Sequence, residues 1–223
     1  MTAIFSHVEY YVMQPEVKDL EVEKAVSDAI RLGLPAICVP PYWVKKASRD
    51  THPAGITLST AVGFPFGYQR TEAKVSEAEL AFADGAQEIV LTINLSALKS
   101  ERWNWIKAEI ARFAKLVHER EKLLTVLTHM DRLTSQEAIQ LCKNAADAGA
   151  DYLQTTTGQL HGAGDAVHSV SFIRQALPPA VGLKVYQSRL IADEAEALLK
   201  EGADKICTPD LSGIPVHLPE EKK

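Results

Sequence analysis

Hydrophobic and polar positions along the chain follow two alternating patterns. Short runs rich in β-branched residues, with a period of two, are typical of strands, whereas longer stretches with apolar residues three and four positions apart are typical of amphipathic helices. The strand-like runs are HVEYYVM (7–13), AICV (36–39), ITLSTAVG (56–63), EIVLTIN (88–94), LLTVLTHM (123–130), DYLQTTT (151–157), GLKVY (182–186) and KICTP (205–209).

Helical patterns separate these runs. They cover 19–32, 42–48, 71–84, 98–120, 134–148, 165–176 and 191–201. The helix at 134–148 begins with TSQE, in which Thr134 can cap the first turn and Glu137 can reach back to it. Four helices end in a similar phrase, in which a glycine is followed almost at once by a strand: RLGLPAI, ADGAQEI, DAGADYL and KEGADKI.

The repeated β-α unit predicts a single α/β domain over residues 1–223, a (β/α)₈ TIM barrel of minimal size. A doubly wound open sheet is the second interpretation. The tail from about 211 to 223 is too short and too rich in proline for a full eighth helix. We expect that residues 211–218 either close the barrel irregularly or leave a gap that a partner subunit covers in a homodimer.

Composition narrows the classes of partner. The net charge of −5 and the absence of a long basic cluster argue against nucleic acid. No apolar run approaches the roughly 20 residues that span a bilayer, and the N-terminus lacks a secretory pattern, so we expect a cytoplasmic protein. Cys38, Cys142 and Cys207 lie in apolar stretches without metal-type spacing, and are interpreted as reduced, buried thiols. We expect a small-molecule ligand, such as a sugar or an aldehyde, and no cofactor.

In a barrel of this type the ligand lies at the carboxyl ends of the strands, where the loops converge. Polar side chains at those ends are the candidate site residues. In chain order they are Glu9, Tyr10, Tyr11, Thr92, Asn94, His129, Asp131, Gln154, Thr156, Lys184, Tyr186, Gln187, Thr208 and Asp210.

Lys184 is the most informative of these residues. In GLKVYQ the alternation places Lys184 and Tyr186 on one face of the strand and Leu183 and Val185 on the other. A strand of a barrel must therefore either bury this ammonium or direct it toward the mouth. Since burial without a partner costs several kcal/mol, a role in the site is favoured over a solvated surface position.

His129 and Asp131 lie two positions apart, and together with His161 they could bind a metal ion. The spacing is loose, and hydrogen bonding at a strand end is the favoured interpretation. No metal is expected.

The quoted segments resemble deoxyribose-phosphate aldolase, a class I aldolase that splits 2-deoxyribose 5-phosphate into acetaldehyde and glyceraldehyde 3-phosphate. VGFPFGYQRTEAKVSEAELAFADGAQEI is similar to its third strand, third helix and the start of its fourth strand. AICVPPYWV, INLSALKS, AGADYLQTTTG and GLK follow in the order and spacing of the family. The resemblance covers nearly the whole chain and implies the same barrel.

The resemblance also implies where the reaction would occur. The Schiff-base lysine of the family falls at Gln154, its proton-shuttling aspartate at Val90, and its second lysine at Lys184. The Gly-Gly phosphate loop after the seventh strand becomes VYQSRL, with Gln187 in it, and the loop after the eighth strand becomes CTPDLSG, with Asp210.

Three hypotheses follow from these residues. The first is aldol chemistry with Lys184 as the Schiff-base lysine, whose pKa desolvation alone would lower. The second is a binding or regulatory protein on a barrel that has lost the reaction. The third is a different acid/base reaction at the same mouth, which would use His129, Asp131, Lys184 and Tyr186.

Overall fold

A computed structural model describes residues 3–159 and 169–214, and its strands close into a parallel barrel in sequence order. Each strand pairs with the next, and β8 pairs with β1. The predicted (β/α)₈ barrel is therefore confirmed. The strands are β1 (Val8–Tyr11), β2 (Ala36–Cys38), β3 (Thr57–Val62), β4 (Glu88–Thr92), β5 (Leu123–Leu127), β6 (Tyr152–Gln154), β7 (Gly182–Tyr186) and β8 (Lys205–Thr208).

The helices pack outside the strands. Their bounds are α1 (Asp19–Leu32), α2 (Val44–Thr51), α3 (Thr71–Asp84), α4 (Leu95–Lys99), α5 (Trp103–His118), α6 (Ser135–Asp147), α7 (Val170–Ala176) and α8 (Ala192–Lys200). Short 3₁₀ turns cover Ala3–His7, Pro41–Trp43 and Met130–Arg132. The predicted ranges 19–32 and 71–84 are confirmed, and the first four residues of the range 165–176 lie outside the described residues.

One predicted helix is wrong in its extent. The range 98–120 contains the end of α4 and the separate helix α5, because Glu101 adopts φ 56° between them. A left-handed residue cannot continue an α-helix. The short turn expected near 42–48 is also longer, and becomes a 3₁₀ turn followed by α2.

The predicted helix ends are confirmed. Thr134 Oγ1 accepts from the backbone N–H of Glu137, and the Glu137 carboxylate accepts from the N–H of Thr134, which is a complete capping box. The glycines of the four repeated phrases all have positive φ, from 65° to 110°. These are Gly33, Gly85, Gly149 and Gly202.

Alternation along the strands divides the core in two. Outward-facing side chains such as Val8, Leu58 and Val126 pack under the helices in one large apolar cluster. Inward-facing side chains fill the barrel itself, and a smaller apolar cluster lies there. This division is the period of two expected of strands that are buried on both faces.

The chain beyond β8 forms no helix within the described residues. Ile214 is buried, and Gly213 forms a parallel bridge with Ile191 at the start of α8. The remainder of the tail, from 215 to 223, lies outside the described residues. No helix in the described part of the chain is both long and apolar enough to cross a bilayer.

Candidate active site

A charged layer fills the lower half of the barrel interior. Lys184 Nζ lies 2.6 Å from Glu9 Oε2 and also contacts Glu88 Oε1. All three side chains are fully buried. The charges come from β1, β4 and β7, so the layer crosses the barrel rather than joining neighbouring strands.

The two carboxylates determine the protonation of the lysine. Burial alone lowers the pKa of Lys184, but the charges of Glu88 and Glu9 outweigh it and hold the pKa well above its ordinary value. Burial likewise opposes ionisation of Glu9, yet the Lys184 charge holds the pKa of that carboxyl below its ordinary value. The expectation that desolvation would leave Lys184 with a lowered pKa is therefore wrong. Lys184 is an ammonium ion.

Neighbouring side chains complete the charged layer. The hydroxyls of Ser59 and Thr125 donate to Glu9 and Glu88, respectively. Below, the ring of Tyr152 lies between two cations, with its centroid 5.0 Å from Lys184 Nζ and 4.9 Å from Lys205 Nζ. These contacts stabilise charges that would otherwise be costly to bury.

An apolar layer lies one step nearer the mouth. Residues two positions further along the strands point to the same interior, about 7 Å closer to the carboxyl ends. Val90, which follows Glu88 in this way, packs in a buried cluster of apolar side chains, of which Cys207 also contacts Glu9, with its Sγ 3.5 Å from Glu9 Oε2. The other buried members are Tyr11, Met13, Cys38, Ala61, Leu127 and Cys207. The prediction of reduced, buried cysteines is confirmed.

Gln154 lies at the edge of these layers. It is fully buried on β6, in register with Leu127 of β5 and Lys184 of β7. Its Nε2 donates to the carbonyl of Thr156 at 3.3 Å, and its Oε1 has no hydrogen-bond partner among the described residues. The buried Tyr11 hydroxyl interacts with the Gln154 side chain, so the two polar groups lie together inside the barrel.

Tyr186 covers the carboxyl end of the barrel between β1 and β6. Its ring meets Tyr11 edge to face, with centroids 5.7 Å apart. It also lies against Gly158, where an added Cβ would be 2.3 Å from the Tyr186 ring. Because Gly158 also has φ 72°, this turn requires glycine for its backbone conformation and for space.

A cleft of about 380 Å³ opens beside Tyr186 at the ends of β5, β6 and β7. It joins several of the predicted site residues, since Asp131, Thr156, Tyr186 and Gln187 all line it. The remaining described lining residues are Met130, Thr155, Ser169, Val170, Ile173, Val185, Leu198 and Glu201. The cleft thus combines an apolar wall with hydroxyl, amide and carboxylate groups.

His129 and Asp131 differ in their surroundings. His129 is fully buried, and neither ring nitrogen has a hydrogen-bond partner within 3–159 and 169–214. Burial lowers the pKa of His129, so the ring is neutral near pH 7. Asp131 is partly exposed, and its Oδ2 lies 3.2 Å from Arg132 Nε. No cluster of three metal-binding side chains occurs in the described chain, and His161 lies outside it.

Two predicted residues are not among the described residues that line the cleft. Asn94 caps α4, since its Oδ1 accepts from the N–H of Ala97 at 3.0 Å. Asp210 follows β8, and its Oδ1 accepts from the N–H of Ser212 at 2.8 Å. Both side chains already have structural hydrogen bonds.

Three buried charged residues were not predicted from the sequence, namely Glu88, Lys74 and Glu109. Glu88 could have been found, because the alternation that places Val90 inside the barrel also places Glu88 there. Lys74 could not have been found by strand alternation, because it lies in an amphipathic helix. It lies between α3 and the sheet, where it donates to the carbonyl of Thr92 at 2.8 Å and pairs with Glu109 at 3.0 Å.

Comparison with known proteins decides the family. Residues 9–188 match the family described as DeoC/LacD family aldolase. The chain belongs to this family. Among curated members, it is 31% identical to the deoxyribose-phosphate aldolase of Lactococcus lactis subsp. cremoris (strain SK11), over 91% of each chain. It is 33% identical to the deoxyribose-phosphate aldolase of Thermococcus kodakarensis, over 98% of each chain.

Solved structures of DeoC/LacD relatives share the barrel. A structure described as "QR15, an Aldolase" superposes with a TM-score of 0.84 at 28% identity, and the match covers 94% of this chain and 92% of that one. The deoxyribose phosphate aldolase from Aeropyrum pernix has a TM-score of 0.84 at 24% identity, with 92% and 86% covered, which supports the fold. The chain is therefore a deoxyribose-phosphate aldolase-like barrel.

Proposed function

We propose that this deoxyribose-phosphate aldolase-like barrel binds a small sugar or aldehyde without cleaving it through a Schiff base. The observation that carries the proposal is the state of Lys184. Its ammonium is buried between Glu9 and Glu88. By the resemblance of the sequence to the family, Gln154 stands where the family reaction uses its Schiff-base lysine.

A Schiff base requires a neutral amine that can reach a carbonyl carbon. The pKa of Lys184 is raised by its two carboxylates, so the lone pair is protonated near pH 7. Attack would also require the ammonium to leave both partners, which would remain as unpaired buried charges. Breaking such a pair costs about 3–5 kcal/mol, which is a large addition to a reaction barrier.

Gln154 and Val90 support the same conclusion. An amide nitrogen is not nucleophilic, and it cannot form an iminium with an aldehyde. At the position of the family's proton-shuttling aspartate, the Val90 side chain lies in an apolar cluster and cannot carry a proton. By that resemblance, this chain lacks the family's nucleophile and its proton carrier together, which supports the proposal.

Binding remains supported by the geometry. The cleft of about 380 Å³ is of the size that accepts a small molecule, and its hydroxyl and amide groups suit a polyhydroxylated ligand. A sugar hydroxyl or the hydrate of an aldehyde could donate to the Asp131 carboxylate or to the Gln187 amide oxygen, which both line the cleft.

Reductive trapping tests the proposal. The protein is incubated with acetaldehyde or 2-deoxyribose 5-phosphate and borohydride, and adducts are located by peptide mass spectrometry. We expect no adduct on Lys184 and no cleavage above background. The Lys184→Met variant is the control for adducts on surface lysines. An adduct on Lys184 in the wild type would overturn the proposal.

A second candidate is an acid/base reaction at the same mouth. One observation favours it, since Asp131 and Tyr186 line the same cleft and could act as a carboxylate base and a hydroxyl donor. His129 is neutral and Lys184 is charged, so both have defined protonation states beside it. If this candidate is right, a turnover found with any small substrate should disappear in Asp131→Asn.

A further inference from the structure

The loops after β7 and β8 lie where (β/α)₈ barrels frequently bind the phosphate of a substrate. A phosphate bound there needs free backbone N–H groups or cations. In this chain the two loops cover residues 187–191 and 209–214. An anion could bind there only to those polar groups of the loops that have no partner inside the protein.

Several backbone donors in these loops already have acceptors inside the protein. The N–H of Leu190 donates to the carbonyl of Asp210 at 2.9 Å, and the N–H of Gln187 donates to the carbonyl of Cys207 at 2.9 Å. The N–H of Asp210 donates to Thr208 Oγ1 at 3.2 Å. These bonds tie the two loops to each other and to β8, in place of a ligand.

The carboxylate of Asp210 takes a further donor. Its Oδ1 accepts from the N–H of Ser212 at 2.8 Å, and Arg189 Nε lies 3.6 Å from its Oδ2. These hydrogen bonds from Ser212 and the Arg189 charge hold the pKa of Asp210 below its ordinary value, so the carboxylate is ionised at neutral pH. An internal anion thus lies at this position, with the cation of the loop beside it.

The cleft beside Tyr186 carries negative charge, like Asp210. Asp131 and Glu201 line it, and no lysine or arginine is among its described lining residues. Lys184, the nearest buried cation on β7, is already paired with Glu9 and Glu88. A dianionic phosphate at these loops would therefore meet the Asp210 carboxylate, which already holds the Arg189 cation, with the carboxylates of Asp131 and Glu201 in the neighbouring cleft.

We infer that the Asp210 carboxylate occupies the phosphate position of the barrel, and that the ligand is an unphosphorylated, polyhydroxylated small molecule. Asp210 is then a specificity-determining residue, since its charge excludes phosphate esters. The inference rests on the proposed function, because it names the ligand class of that same mouth.

Calorimetric titration with a matched pair of sugars tests the inference. The probes are 2-deoxyribose, 2-deoxyribose 5-phosphate and inorganic phosphate. We expect wild type to bind 2-deoxyribose at least about tenfold more tightly than its 5-phosphate, because the Asp210 carboxylate repels the phosphate and occupies its donors, and not to bind phosphate. Asp210→Gly should tighten binding of the phosphorylated sugar about tenfold or more, with the affinity for 2-deoxyribose nearly unchanged.

Two further variants separate charge from hydrogen bonding. Asp210→Asn removes the charge but keeps an oxygen for the Ser212 N–H, so we expect an intermediate gain for the phosphorylated sugar. Asp147→Asn removes a carboxylate that pairs with Lys107 on the far surface, and should leave both affinities unchanged. Preference of the wild type for the phosphorylated sugar, equal affinities in wild type and Asp210→Gly, or no binding of either sugar would overturn the inference.

The borohydride trapping experiment separates a failure of this inference from a failure of the proposed function. A phosphate preference without any adduct on Lys184 would overturn the inference alone. An adduct on Lys184 would overturn the proposed function, whichever sugar binds more tightly.

Discussion

Lys184 Nζ lies 2.6 Å from Glu9 Oε2 inside the barrel, and neither side chain is exposed. The two residues are 175 positions apart in the chain and come from β7 and β1. Closure of the barrel brings them together across its interior. Their pairing, shared with Glu88, converts a lysine that could have been a nucleophile into a buried counterion.

Removing one partner of this pair should destabilise the fold. Glu9→Gln leaves Lys184 with one carboxylate instead of two, and we expect a loss of about 3 kcal/mol in the free energy of unfolding, the lower end for a broken buried pair. Urea denaturation at pH 7 measures the change. Lys107→Gln breaks the exposed pair with Asp147 and should leave the midpoint almost unchanged. Equal effects of the two variants would contradict the assigned burial.

Acid should weaken the same pair. The pKa of Glu9 is lowered in the folded protein from its ordinary value of 4.5, so the unfolded chain binds a proton first as the pH falls. The stability that Glu9 contributes is therefore complete above about pH 4.5 and is lost as the pH falls through the folded pKa. Denaturation midpoints between pH 7 and 3 should fall more steeply for wild type than for Glu9→Gln. Parallel curves would contradict the pairing.

Gln154→Lys should restore an adduct but not the reaction. Position 154 is in register with Lys184, whose charge would lower the pKa of the new amine, so we expect borohydride to trap acetaldehyde there. Cleavage of 2-deoxyribose 5-phosphate should stay at background, because Val90 carries no proton. Gln154→Met, of similar size without an amine, is the control. Efficient cleavage by Gln154→Lys would show that the rest of the site is intact.

Gly158→Ala should destabilise the turn that lies against Tyr186, through backbone strain and steric overlap. At φ 72° an alanine costs about 1–2 kcal/mol, and contact with the Tyr186 ring should add about 1–3 kcal/mol. Gly55→Ala is a matched control, since Gly55 has φ 71° and nothing within 4 Å of an added Cβ. Thermal or urea unfolding compares the two variants. Adding Tyr186→Ala to the Gly158→Ala variant should recover the stability lost through contact with the ring, a loss that Gly55→Ala does not have.

The order of the barrel could be predicted from the sequence because each strand carries a local signal. β-Branched runs, the TSQE cap at Thr134 and the helix-ending glycines need no distant contact to be recognised. The break between α4 and α5 depends on a single left-handed residue, Glu101, and a periodicity of apolar positions does not detect it.

The candidate site was less predictable because its geometry depends on distant contacts. Alternation placed Lys184 on the inner face of its strand, but its partners lie on β1 and β4, and local pattern does not identify them. Asn94 was expected to bind substrate, whereas the structure shows it capping α4. Asp131, Thr156, Tyr186 and Gln187 do share a cleft, as strand ends of one barrel should.

The charged layer inside the barrel imposes different evolutionary constraints on positions 154 and 184. Glu9 and Glu88 bring two negative charges into a closed space, and of the described residues only Lys184 forms an ion pair with both. Loss of Lys184 would leave both carboxylates without this cation, so the fold favours a lysine at 184 whether or not it takes part in a reaction. Position 154 neutralises no carboxylate, so a nucleophile there could be replaced at little structural cost. The ion pairs of Lys184 are thus sufficient to explain why this barrel buries a lysine.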